Sequence, residues 1–209
     1  MNERFFLLPQ EKQQKILNAG YKVFSEYPYK KSPMSEISDE AGISKSLLFH
    51  YFHNKKDLYI YLFQYAKEIT NKELLNAGIV EAADFFEFLE KSLHAKCNLT
   101  RRYPYISSFS LRAFYEQESE IKDCIHHIFW DLYNDNNRII HNVMENSRFR
   151  AGIDVEFMYK EITWAMNGYM NLVYMSGKID ADKIEYDLSQ LITFWKRICL
   201  KDEESNHVV

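Results

Sequence analysis

Proline and glycine are scarce in this chain, with four and six residues in 209. With so few breakers, and almost no stretch of alternating apolar and polar residues, long helices are the natural consequence. No apolar run approaches the ~18 residues of a membrane span, and the first residues lack the pattern of a secretory signal. The three cysteines, Cys97, Cys124 and Cys199, are odd in number and widely spaced, which reads as reduced thiols in a cytoplasmic protein. The short motifs of catalysis are also missing: no Gly-rich phosphate loop, nucleophile elbow, visible Ser/His/Asp set, Cys-x-x-Cys or His-Glu-x-x-His. His94 and Cys97 stand one helical turn apart, with Cys124, His126 and His127 further on, but a zinc site needs about four ligands. The expectation is therefore no catalytic residue, no metal and no cofactor, in a chain that is not an enzyme.

The composition is otherwise that of an ordinary globular protein able to bury a proper core, with 46% hydrophobic and 27% charged residues. The formal net charge of −4 divides unevenly. Residues 1–60 carry nine Lys/Arg against seven Asp/Glu, a net of +2, and the remainder carries 17 against 23, a net of −6. The basic share lies at the N-terminal end, where the most informative stretch is also found.

That stretch is residues 32–58, SPMSEISDEAGISKSLLFHYFHNKKDL. Ser32 reads as an N-cap, with Pro33 at the first helical position, and also as a phosphate contact beside Tyr51 and Lys55. Met34, Ile37 and Ala41 give the short helix one apolar face, and Gly42 can end it by taking positive φ. Ser44 then caps a second helix over residues 44–51. Helix, glycine turn, helix is the DNA-reading supersecondary unit. In the second helix, Leu48 and Phe52 anchor the element, which leaves Lys45, Ser46, Leu47, Phe49 and His50 toward the free face. Lys45 suits a phosphate or a guanine edge, Ser46 allows close approach, and Leu47 suits a thymine methyl. His50 and Tyr51 suit phosphate or base contact, and Lys55 stands at a helix start that attracts phosphate.

The string Ile37…Ala41-Gly42-Ile43-Ser44-Lys45…Leu48-Phe49-His50-Tyr51-Phe52…Lys55…Leu58 resembles the DNA-binding domain of TetR-type repressors over roughly residues 10–62. Two departures stand at the DNA edge, where Ser46 and Leu47 replace the family's usual Gly and Thr, so the operator sequence is not carried over. The turn at Tyr27-Pro28-Tyr29 also lacks the family's usual glycine. The resemblance implies an all-α protein: an N-terminal three-helix helix-turn-helix domain, then a larger helical domain for ligand binding and dimerisation. It further implies a one-component regulator, most often a repressor, that binds a near-palindromic operator as a homodimer and is released by a small-molecule inducer.

Periodicity divides the remaining chain into helices. A first helix spans about residues 9–27, with Ile16, Ala19, Val23 and Phe24 inward. Residues 55–76 form a connecting helix, and Gly78 marks the boundary after it. Helices follow at about 81–102, 106–115, 120–146, 155–176 and 180–201, with Gly152 and Asp154 signalling a turn and an N-cap. The domain division is 1–54 for DNA binding, 55–77 for the connection, 78–202 for ligand binding and dimerisation, and 203–209 for a frayed tail.

The last two helices are the expected dimer contact, through Met166, Tyr169 and Met170 on one and Leu188, Leu191 and Trp195 on the other. Gly168 inside a helix suggests close approach of another helix. Trp164, Asn167 and Asn171 fall on one side of the penultimate helix, where they either orient a small apolar or aromatic ligand or belong to the core with satisfied amides. Phe88, Phe109, Phe114, Trp130 and Tyr133 line such a cavity or fill it equally well. Arg101-Arg102 reads as a solvated helix end. Two other classes remain open on the residues alone: a helical DNA-binding or partner-binding protein without a small ligand, and an all-helical enzyme or carrier.

Overall fold

The computed structural model describes residues 3–201, apart from the side chains of residues 132–138. The expected tail, 203–209, and the side chain of Tyr133 lie outside the described residues. After a 3-10 turn at Glu3–Phe5, the α-helices are α1 (Gln10–Glu26), α2 (Met34–Ala41), α3 (Lys45–Phe52), α4 (Lys55–Asn76), α5 (Phe85–Arg102), α6 (Pro104–Tyr115), α7 (Lys122–Asn146), α8 (Val155–Ser176) and α9 (Ala181–Cys199). The all-α reading holds, and helix ends lie within a few residues of their expected places.

Two compact units divide the chain. The first comprises residues 1–72 and 99–135, the second 73–98 and 136–209. This differs from a linear division at residues 54 and 77, because α6 supplies core to the DNA-binding helices. Phe109 of α6 is fully buried and meets Tyr21 and Phe24 of α1 and Tyr59 of α4, with ring centroids 5.4, 6.1 and 4.9 Å apart. Polar bonds reinforce the contact: Arg112 Nε donates to the Ser25 carbonyl at 3.1 Å, and Glu116 accepts from the Tyr29 N–H at 3.0 Å. Burying a phenylalanine contributes about 1.5–3 kcal/mol, far more than a surface loop contact.

In the same unit α1 presents Ile16, Leu17, Ala19, Val23 and Phe24 inward. It ends where Tyr27 takes an extended conformation before Pro28, since a residue preceding proline is pushed out of the helical region. At Gly20 a Cβ would sit 2.7 Å from Leu62 Cδ1, so glycine is what allows α4 to lie directly on α1. Next to it the Tyr21 hydroxyl donates to the Leu62 carbonyl at 2.8 Å. Burial pushes the Tyr21 phenol well above its ordinary pKa, with Tyr65, Tyr61 and Glu68 adding repulsion, so it stays a donor.

The second unit is built on acidic caps. Asp84 accepts from the N–H groups of Phe86 and Glu87 at the start of α5, Asp154 from Phe157 at α8, and Asp180 from Asp182 and Lys183 at α9. Its core gathers Phe85, Phe86 and Phe88 with Met158, Ile162, Leu188 and Ile192. The helices α8 and α9 are joined by Tyr169, whose hydroxyl donates to Asp187 at 2.8 Å, and Lys183 pairs with the same carboxylate at 2.7 Å. Among the described residues, no helix is long and apolar enough to cross a membrane.

Candidate nucleic-acid interface

The helix-turn-helix is fixed by local chemistry at each of its ends. Helix α2 stops at Gly42, which takes φ +67° and ψ 35°. There the Ile43 N–H donates to the Ser38 carbonyl and the Gly42 N–H to the Asp39 carbonyl, both at 3.0 Å, so the last carbonyls of α2 are satisfied. Two residues later Ser44 caps α3, its Oγ accepting from the Leu47 N–H at 3.2 Å. The far end of α3 is less ordinary. His53 takes φ +53° and ψ −49°, and the Asn54 N–H bonds the Phe52 carbonyl, which makes a γ-turn centred on a histidine. Asn54 then caps α4 by accepting from the Asp57 N–H at 2.8 Å.

Between these fixed ends α3 divides cleanly. Leu48 and Phe52 are fully buried and anchor it. Lys45, Ser46, Leu47 and His50 are exposed and share one arc of the helix, with His50 falling between Ser46 and Leu47 around the axis. Phe49 is half-buried and falls between Lys45 and Ser46 around the axis, with the Lys45 ammonium 6.0 Å from its ring. An exposed arc with one cation, a small hydroxyl, a branched alkyl group and an imidazole offers the range of contacts a base edge accepts.

Three of the expected DNA contacts are placed differently. Tyr51 is only 7% exposed and packs against Phe5, so it sides with the anchoring residues. Ser32 is buried, and its hydroxyl lies 2.9 Å from the Pro28 carbonyl and 3.3 Å from that of Tyr27. Nor does Ser32 cap α2: the N-cap is Pro33, so the helix starts one residue later than expected. Lys55 donates to the carbonyls of Tyr29, Lys30 and Ser32 at 2.9, 3.1 and 3.2 Å. An ammonium has three donors, and here all three serve to close the turn before α2. This inward use of Lys55 has no signature in a one-dimensional pattern.

The expected ligand-binding residues are dispersed over both units. In the first, Phe109 fills the core, Phe114 is half-buried against Phe129, and Trp130 is 53% exposed. In the second, Phe88 is buried in the core, Trp164 is 62% exposed and 6.4 Å from the Phe157 ring, Asn167 is exposed, and Asn171 is half-buried. Trp164 and Asn167 thus belong to an outer surface of α8, whose apolar residues run around more than one side of the helix. A cleft of about 380 Å³ in the first unit is instead lined by Lys15, Lys22, Glu40, Arg102 and Tyr105 among others, with Lys22 and Glu40 paired at 2.9 Å.

Of the expected dimer residues, Leu188 is buried in the chain's own core, and Met166, Tyr169, Met170, Leu191 and Trp195 are half-buried against it. The exposed apolar stripe is a different one. On α8 it runs through Phe157, Trp164, Leu172 and Met175, and on α9 Tyr186 and Phe194 are exposed. Gly168 lies within the α8 stripe with nothing within 4 Å of where its Cβ would be. Helical periodicity finds both apolar sides of α8 but does not rank them.

Among the described residues, no group of three or more His, Cys, Asp and Glu side chains is placed to hold a metal ion. His94 bonds Glu185 and Asn98, while Cys97 and Cys199 are buried.

A glycine-turned helix pair with an exposed, capped second helix is the helix-turn-helix arrangement of DNA-binding proteins. Residues 16–62 match the family described as bacterial regulatory proteins, tetR family. This segment is similar to the DNA-binding domain of TetR-type transcriptional regulators. The chain is similar to the fatty acid metabolism regulator protein of Bacillus subtilis (strain 168), at 24% identity over 180 residues that cover 80% of this chain and 91% of that one. Its fold is similar to that of a TetR-like transcriptional regulator from Rhodococcus sp. RHA1, with TM-score 0.68, 20% identity and coverage of 91% of this chain and 97% of that one. It is also similar to the transcriptional regulator FadR from Bacillus subtilis solved in complex with stearoyl-CoA, with TM-score 0.67, 21% identity and coverage of 86% and 96%.

Proposed function

We propose that this chain is a cytoplasmic, dimeric repressor that reads a near-palindromic operator with α3 and is released by an apolar acyl effector. The observation that carries the DNA reading is the division of α3 into a buried anchor and an exposed arc of Lys45, Ser46, Leu47 and His50. Lys45 takes a phosphate or a guanine edge, Ser46 and Leu47 approach the bases, and His50 donates to a base or phosphate. Phe49, between Lys45 and Ser46, covers sugar. Ser32, Tyr51 and Lys55 hold the reading head in shape from within.

Two copies associate through the exposed stripe of Phe157, Trp164, Leu172 and Met175, together with Tyr186 and Phe194. Gly168 lets the partner's helix approach closely. Dimerisation also fits the charge: a net of +2 in the first sixty residues is modest, and two copies double the phosphate contacts. Repression follows from occupancy, since a protein seated on the operator excludes polymerase.

The effector class is supported by similarity to a fatty acid metabolism regulator protein of Bacillus subtilis and to a FadR structure from the same species solved with stearoyl-CoA. Binding in the second half tilts α4, whose first turns pack on the reading head. A hundredfold loss of operator affinity requires about 2.7 kcal/mol of preference for the released state. The test is release of an operator duplex by stearoyl-CoA. Release by stearoyl-CoA with none by free coenzyme A supports the acyl reading; retention of the complex with both rejects it and leaves the DNA reading intact.

A further inference from the structure

The segment ahead of α1 is held at both of its ends. Phe5, at the end of the Glu3–Phe5 turn, is fully buried, with its ring 4.9 Å from Phe52, 5.9 Å from Tyr51 and 5.9 Å from Tyr61. Further along, Gln13 of α1 donates through Nε2 to the carbonyls of Phe6 and Leu8, at 3.2 and 2.8 Å. The turn is thus stapled to the buried side of α3 and to α1. Arg4 precedes the buried ring, and its guanidinium reaches the outer side of α3, where Nη1 lies 3.4 Å from Nε2 of His50. His50 is in the middle of the exposed arc.

We propose that Arg4 is a phosphate-contacting residue of the DNA interface, and that the 3-10 turn Glu3–Phe5 extends the reading head beyond the helix-turn-helix. The proposal rests on the reading of α3 given above. A guanidinium keeps its charge at any working pH, and its planar fork of five donors matches the oxygens of a phosphate. Phe5 fixes the root of the side chain, so little freedom is lost on binding. The charge balance also requires cations at this edge: with Lys55 engaged inward, Arg4 joins Lys45 beside the exposed arc of α3. A phosphate contact at Arg4 would set the register of α3 in its groove and leave base readout to the helix itself.

The experiment uses the full chain and one duplex enriched from random sequence by the wild type, with an unrelated duplex for comparison. Affinity is measured across a salt series for wild type, Arg4→Ala, Arg4→Lys and Lys45→Ala, after circular dichroism confirms equal helicity. Arg4→Ala should flatten the plot of log K against log salt by about 2 for a dimer, since each lost phosphate contact is worth ~0.9. It should weaken both duplexes by similar factors, and Arg4→Lys should restore most of the slope. An unchanged slope for Arg4→Ala, while Lys45→Ala binds more weakly, overturns the role of Arg4 and leaves α3 as the reader. A loss confined to the enriched duplex, with the slope unchanged, also overturns it, in favour of a base contact. Unchanged binding in both alanine variants overturns this proposal and the α3 reading together.

Discussion

The ammonium of Lys55 lies 5.1 Å from the centre of the Tyr29 ring and donates to that residue's own carbonyl at 2.9 Å. With the carbonyls of Lys30 and Ser32 also accepting from it, this lysine closes the turn that leads into α2. Lys55→Ala is expected to lower unfolding stability by about 1–3 kcal/mol, the range for hydrogen bonds to a charged group. The salt dependence of DNA binding should stay at the wild-type value. Urea unfolding gives the first quantity and a salt series the second; a flattened slope would return Lys55 to the phosphate contacts.

Gly20 is the point at which α4 rests on α1, with Leu62 Cδ1 2.7 Å from the missing Cβ. Gly20→Ala should therefore destabilise the protein by about 1–3 kcal/mol, as overpacking does, despite alanine's better helix propensity. An alanine variant as stable as wild type in urea would show that Leu62 moves aside freely.

Ser44 holds the first turn of α3 through its bond to the Leu47 N–H. Ser44→Ala should lower stability by about 1 kcal/mol and weaken operator binding, while Ser44→Asp keeps the cap. Restored stability with binding still impaired in Ser44→Asp would mean that a carboxylate at this end of α3 repels DNA.

The join between α8 and α9 carries a pH signature. Lys183 and Tyr169 hold the Asp187 carboxyl below its ordinary value of 3.8, so the stability it brings is present above that value and is lost as pH falls through the lowered pKa. Burial and the bond to Asp187 push the Tyr169 phenol up from 10.0 to about 12, so its contribution is full below pH 10.0 and is lost as pH rises through about 12. Asp187→Asn should flatten the acid side of a stability-against-pH profile. An unchanged acid limb would remove this link from the account.

The exposed stripe on α8 predicts the association state. The wild type should sediment as a dimer, and Trp164→Glu with Leu172→Glu should give a helical monomer. A double variant that remains dimeric would move the interface elsewhere.

Much of this was legible in the sequence because helix-turn-helix chemistry is local. Gly42, Ser44 and the spacing of Leu48 and Phe52 announce their roles within a few residues of chain. Side-chain destinations over long separations were not legible. Nothing near Lys55 indicates that its ammonium turns back to carbonyls some 25 residues earlier, and nothing in residues 104–115 marks Phe109 as core for α1 and α4. Helix α8 shows the same limit in another form. Its apolar residues run around more than one side, and periodicity does not tell that Met166 and Met170 are half-buried against the chain's own core while Trp164 and Leu172 are exposed. Phe5 lies in a three-residue turn, too short to show a pattern.

The central claim is that the exposed arc of α3 reads DNA sequence. Its most direct test is selection of duplexes from random sequence by the full chain, repeated with Lys45→Ala combined with His50→Ala. The expected result is an enriched inverted repeat bound by two chains, and loss of that enrichment in the double variant. Wild-type binding that is weak, salt-sensitive and indifferent to sequence would contradict it.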